Sequence, residues 1–330
     1  MGEKKVNGRA LCFLNIVQKK GQFNFVWLFA IIAGSVILVL AIYGAMKAGD
    51  SIRYQTDSEI AKSISIISDP LQAGFSEGSF GKILFKQETR INNFCFDGDF
   101  GKHMISVSTK SDVGEEWNIP GEEVPIQNKY IFSSEASSGE EYYVFSKPFE
   151  FPYKVADLIF LTSERYCFLN APEKIVEEIN GMNIPNIETD NCTSEDLIRV
   201  CFGSGSDCDV RVRGSCLSGC ISVYDWGSVE RYGSEMDYVG NLMYAAIFSD
   251  KGIYDCNVRR LMYRIGMIAQ GLIDKSDLMG ARNCNTNLKA DLIYWKGITI
   301  NASVSDLNGL YSIAKSLERK NDGEICRLWA

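Results

Sequence analysis

The sequence predicts an α+β fold on an N-terminal transmembrane helix: a helical stalk, a β-rich and mixed head, and a helical C-terminal third, stapled by disulfides. Three observations predict it. An uncharged apolar run extends from Gly21 to Met46, short segments rich in β-branched and aromatic residues follow from residue 80, and two amphipathic stretches lie beyond residue 250. The expected division is a basic leader over 1–21, a membrane helix over 22–46, a stalk over 47–79 and a head over 80–330 with a sub-boundary near 230.

The anchor comes first. A bilayer core needs about 20 apolar residues in helical form, because lipid satisfies no backbone hydrogen bond. The run GQFNFVWLFAIIAGSVILVLAIYGAM is longer than that, with Trp27 and Tyr43 near its ends, where amphipathic rings favour the interface. A cleaved secretory signal has a hydrophobic region of about 7–15 residues, shorter than this one. The formal net charge is −8, and residues 1–20 carry +4, so the remaining chain carries −12. The positive-inside rule therefore puts the N-terminus in the cytoplasm and residues 47–330 outside. An acidic body also lacks the basic footprint that neutralises phosphates, which excludes nucleic acid as a partner and leaves the membrane as the expected one.

Beyond the anchor, Ile52, Ile60, Ile64 and Ile67 recur at helical spacing up to Asp69-Pro70, giving the stalk an apolar stripe to lay against the head. KILFK (82–86), NNFCF (92–96), HMISVST (103–109), KYIFSS (129–134) and YYVFSK (142–147) read as strands, with DGDFG (97–101) as a hairpin turn. Residues 111–127, acidic around two prolines, read as a solvated loop. VADLIFLTS (155–163), DLIRVCFG (196–203), DVRVRG (209–214) and CISVYD (220–225) are further strands, and the stretch from Asn170 through Pro172 to Gly181 is a capped helix. Leu261, Ile265, Ile268 and Leu272 line a helix over about 252–274. Leu307, Leu310, Ile313, Ala314 and Leu317 line another, with Ser305 as N-cap.

Of eleven cysteines, Cys12 alone precedes the anchor. The others are Cys95, Cys167, Cys192, Cys201, Cys208, Cys216, Cys220, Cys256, Cys284 and Cys326. An even set in an exported domain points to disulfides. A zinc site is the weaker reading, since 201, 208, 216 and 220 lack paired C-x2-C spacing and His103 is the sole histidine. The pairing is not readable from spacing. Asn191-Cys192-Thr193 and Asn301-Ala302-Ser303 are glycosylation sequons, which suit an exported domain.

Catalytic signals are sparse. A serine triad would have to use His103, and neither Gly203-Ser204-Gly205 nor Ser215–Gly219 forms a nucleophile elbow. Ser312-x-x-Lys315 lies in an amphipathic helix without companion motifs. Asp97/Asp99 and Asp207/Asp209 lack the EF-hand frame and read as turns, and Glu140-Glu141 cannot be placed across a substrate. No phosphate loop or dinucleotide fingerprint is present, so no cofactor or metal is expected.

Lys19-Lys20-Gly21-Gln22, followed directly by the hydrophobic helix, resembles archaeal class III signal peptides, those of type IV pilin-like proteins; the general look is also similar to TadE-like pseudopilins. The resemblance covers residues 19–46. It implies cleavage between Gly21 and Gln22 and a long helix carrying a β-rich head. The family's glutamate, which neutralises a neighbour's new N-terminus in an apolar filament core, is Val26 here, with Asn24 and Ala30 at two other family positions. That departure fits a minor or tip subunit rather than a main filament subunit. An uncleaved signal anchor, resting on the flank charge, stays open beside it.

The expected function is that of a single-pass anchored extracytoplasmic protein of structural or interaction type, with partners through the anchor helix. The alternative is a membrane-tethered extracellular hydrolase, which requires a cleft with clustered acidic residues.

Overall fold

The computed structural model describes residues 25–72, 80–111, 116–190, 192, 196–203, 205, 207–215 and 224–330; in the first helix, side chains are described for 25–47 and 54–62. The chain divides into two compact units, Met1–Ser51 and Ile52–Ala330.

In the first unit the helix α1 (Phe25–Gln72) begins. Its stretch Phe25–Lys47 is the one helix among the described residues long and apolar enough to cross a membrane, and none of its side chains is buried. Phe25, Trp27, Ile31, Val36, Leu40 and Tyr43 are exposed on all sides of it. A helix apolar round its whole circumference finds no water-facing side.

In the second unit α1 continues to Gln72, past Asp69-Pro70. Ala61 is buried and Ile60 half-buried against a small apolar cluster of the first sheet. The side chains of Ile52, Ile64 and Ile67 lie outside the described set. Ser58 accepts a hydrogen bond from Glu122 N–H at 2.9 Å. Gly121 makes that approach feasible, because a Cβ there would stand 2.8 Å from Ser58 N.

The first sheet contains β1 (Phe80–Phe96), β2 (Lys102–Thr109), β3 (Val124–Gln127), β4 (Tyr130–Phe132), β5 (Ala136–Glu150) and β6 (Lys154–Thr162). Their order is β3-β2-β1-β5-β6-β4, antiparallel except for β4 beside β6. The two edge strands β3 and β4 are consecutive in the chain, separated only by Asn128 and Lys129, with Asn128 at φ 56°. One run of chain thus serves both edges, and the sheet must curl round to let it. Alternate residues Ile91, Ile105, Val107, Ile131, Tyr142, Val144, Ile159 and Leu161 fill one face. The 82–86 and 92–96 segments belong to a single strand, β1, whose register slips between Leu84 and Thr89. The solvated-loop reading of 111–127 is corrected: Val124–Gln127 is a strand on β2, and Lys110 bridges Trp117. Its glutamates and prolines disguised it, because an edge strand tolerates both.

The second sheet contains β7 (Tyr166–Leu169), β8 (Ile187–Thr189), β9 (Ile198–Phe202), β10 (Val210–Ser215), β11 (Trp226–Arg231) and β12 (Ser234–Val239), in the order β12-β11-β10-β9-β7-β8. The division near 230 falls inside β11, within the antiparallel run β10-β11-β12. Of the expected 220–225 strand, Cys220 and residues 221–223 lie outside the described residues, and Tyr224 and Asp225 are not in a strand. Between β7 and β8, α2 (Glu173–Met182) takes its left-handed C-cap at Asn183, φ 51°, so Gly181 is inside the helix rather than after it.

The helices are α3 (Leu242–Phe248), α4 (Lys251–Gly280), α5 (Lys289–Thr299) and α6 (Leu307–Gly323), the last preceded by a 3-10 turn (Val304–Asp306). That turn moves the cap: Ser303, not Ser305, forms a capping box with Asp306. α3 is buried on every side. Its Phe248 meets Phe145 at 5.3 Å, Tyr166 at 4.7 Å and Phe168 at 6.3 Å, joining both sheets in one aromatic core.

Candidate functional site

His103, on β2, is fully buried, and its side chain reaches α4. Nδ1 lies 2.7 Å from the Asn93 carboxamide on β1, and Nε2 lies 2.9 Å from Oδ1 of Asn257 on α4. Asn257 in turn donates to Ile131 O at 2.8 Å and accepts from Arg260 at 2.9 Å. Arg260, also fully buried, donates to Lys129 O and to Phe100 O at 2.9 Å each, and its guanidinium lies 4.8 Å from the Tyr130 ring centre. Asn93 completes the set by donating to Ser133 Oγ at 2.9 Å.

The logic of this cluster is the curled sheet. β4 pairs on one side only, with β6, which leaves backbone groups of Lys129 and Ile131 to find other partners. Asn257 and Arg260, one helical turn apart on α4, donate to the two carbonyls, and Ile131 N–H donates to His103 Nε2 at 3.3 Å. Burial, reinforced by the Arg260 charge and opposed by the hydrogen bond to Asn257, pushes His103 down to about 3, so the ring is neutral. Burial likewise brings Arg260 down to about 10. The Cys95–Cys256 disulfide ties β1 to α4 beside the same residues. His103 is a structural group closed off from solvent, with no serine nucleophile among its hydrogen-bond partners.

The other residues singled out in sequence do not converge. Asp97 pairs with Arg259, which holds its carboxyl below the usual carboxylate range, and Asp99 sits at φ 54° in the β1–β2 turn. Asp209 accepts from Arg199 N–H at 2.8 Å while Asp207 is exposed. Glu141 pairs with Lys82 at 2.8 Å and Glu140 is exposed. Ser312 is exposed on α6, whose Lys315 pairs with Glu318 at 2.8 Å. No group of three or more His, Cys, Asp or Glu able to hold a metal occurs among the described residues.

The clefts escaped sequence reasoning, since each is assembled from distant segments, and two of them hold clustered charges. The first, about 330 Å³, is lined by Glu235, Asp237, Asp255, Lys251, Arg259 and Ser305 among others. Burial and then Glu235 raise the Asp237 carboxyl. Asp255 pairs with Lys251 at 3.3 Å, and Glu235 accepts from Ser228 at 2.8 Å. Asp237 takes a hydrogen bond from the Asn308 side chain, so all three carboxylates have partners of their own, and no pair is framed as acid and base. The second cleft, about 450 Å³, lies between β5 and α2. There the nearly buried Lys147 pairs with Glu178 and sits 4.9 Å from the centre of the Tyr244 ring, whose hydroxyl donates to Glu178 at 2.6 Å.

Among the described residues eight cysteines are paired: Cys95–Cys256, Cys167–Cys192, Cys201–Cys208 and Cys284–Cys326. Cys216 and Cys220 lie outside the described residues, as do Gly21, Gln22 and Asn191. Asn301 is exposed. No protein-family model, no curated protein and no solved structure matches the chain.

Proposed function

We propose that the chain is a membrane-anchored protein of structural or interaction type, with the apolar part of α1 in the bilayer and the disulfide-stapled head displayed on the extracytoplasmic side. One observation carries the reading: α1 exposes apolar side chains all round between Phe25 and Lys47, in a chain whose described cysteines are all paired. Lipid is the solvent that accepts such a helix, and an oxidising compartment is the one that keeps such cysteines paired. The burial of His103 and the pairing of Asp97 with Arg259 and of Glu141 with Lys82 favour display over catalysis.

In its finer form the proposal is a minor pilin-like subunit, processed between Gly21 and Gln22, that meets its partners through the anchor helix. Mass spectrometry of the mature N-terminus tests the processing: a chain that still carries residues 1–21 removes it. Labelling intact cells with a membrane-impermeant amine reagent tests the display. Head lysines that react only after lysis would place the head inside and overturn the proposal.

A further inference from the structure

We propose that Asn301 carries an N-linked glycan. The inference rests on the extracytoplasmic reading above and adds to it a covalent modification at one described residue. Asn301-Ala302-Ser303 is a complete acceptor triplet, and the fold presents it in an orderly way. Asn301 is exposed in the turn between α5 and the 3-10 turn, and its carboxamide makes no hydrogen bond among the described residues. Ala302 is pinned inward, 6% exposed, with its N–H on Thr299 O at 2.9 Å. The middle residue of the triplet is thus the anchor, and the acceptor side chain projects to solvent.

Ser303 is the informative member. Its N–H and its hydroxyl both donate to Asp306 Oδ2, at 2.8 Å each. A transferase that reads this hydroxyl must act before the capping box closes, so modification precedes completion of the fold. In the transfer, Nδ2 of Asn301 attacks the anomeric carbon of a lipid-phosphate-linked oligosaccharide. The N–C bond forms as the bond from that carbon to the lipid-phosphate oxygen breaks. The amide proton passes to a base of the membrane transferase, and the lipid phosphate leaves. Ser303, Val304 and Ser305 line the cleft that holds Glu235, Asp237 and Asp255, so the sugar would stand at its rim. That face of the head would then be a solvated one.

The test is peptide and intact mass spectrometry of the full chain purified from its own cells, with disulfides mapped in the same sample. The Asn301 peptide is expected to carry a glycan mass, lost completely in Asn301→Gln and in Ser303→Ala. Asp306→Ala removes the cap but not the triplet, so it is expected to keep the glycan while lowering the melting temperature. An unmodified Asn301 peptide alongside oxidised cysteine pairs would overturn the proposal and leave the extracytoplasmic reading standing. Free cysteines with an unmodified Asn301 would overturn both.

Discussion

Oδ1 of Asn257 on α4 lies 2.9 Å from Nε2 of His103 on β2, while the Asn257 amide nitrogen donates to Ile131 O on β4. One helical side chain therefore spans the line where the curled sheet lacks strand-to-strand pairing. Removing it exposes two mismatches at once. Asn257→Ala is expected to cost about 2–3 kcal/mol, on the scale of a buried polar group left without its partner. Urea unfolding of the detergent-solubilised chain checks this, and a loss below about 0.5 kcal/mol, the level of ordinary surface substitutions, would refute the role.

His103 makes stability depend on pH. Its folded value of about 3 lies below the ordinary 6.5, so the unfolded chain binds a proton that the folded chain does not. The contribution is fully present above 6.5 and is lost as pH falls toward 3, at up to about 1.4 kcal/mol per pH unit. Melts between pH 4 and pH 7 should therefore show acid destabilisation, with a shallower slope in His103→Gln. Equal slopes in the two proteins would reject the assignment.

Gly101 lies at φ 58° in the β1–β2 turn, and a Cβ there would stand 2.1 Å from Phe96 O and 2.7 Å from the Arg260 side chain. Gly101→Ala combines left-handed strain with displacement of a buried guanidinium. We expect a loss of about 2 kcal/mol or more. Its melting temperature should fall well below that of Gly98→Ala, a site in the same turn where nothing stands within 4 Å.

Cys95–Cys256 closes a loop with a sequence separation of 161. Constraint of so long a loop in the unfolded chain is worth about 4–5 kcal/mol in the chain-entropy account. The double variant Cys95→Ser/Cys256→Ser should unfold at a markedly lower urea concentration, and a non-reducing peptide map of the parent should yield the 95–256 pair. Recovery of Cys95 joined to another cysteine would contradict the packing of β1 on α4.

The apolar run of α1 and the long amphipathic patterns of α4 and α6 were legible because their periods repeat over many residues. α3 was not: LMYAAIF is buried all round, so it shows no face and reads equally as a strand. α5 was missed for a related reason, since Ile293 and Tyr294 stay exposed and blur its stripe. The strand Val124–Gln127 was hidden by Glu122, Glu123 and Pro125, which an edge position accepts. His103 was legible as unpaired with any catalytic partner. Its actual partners, Asn93, Asn257 and the Ile131 N–H, stand 10, 154 and 28 residues away in sequence and carry no motif.

The run from Val124 to Phe132 has a consequence for how many copies of this head can stand close together. An open sheet offers a bare row of amides and carbonyls to any neighbouring strand, and crowded surfaces are where such rows cause fusion of copies into fibrils. Here Ile131 O on β4 is occupied by Asn257, Ile131 N–H by His103 and the preceding Lys129 O by Arg260, and the strand at one edge leads within two residues into the strand at the other. The β4 edge is thus insulated by the protein's own helix, and a neighbouring strand finds no free carbonyl at Ile131 on which to extend the sheet.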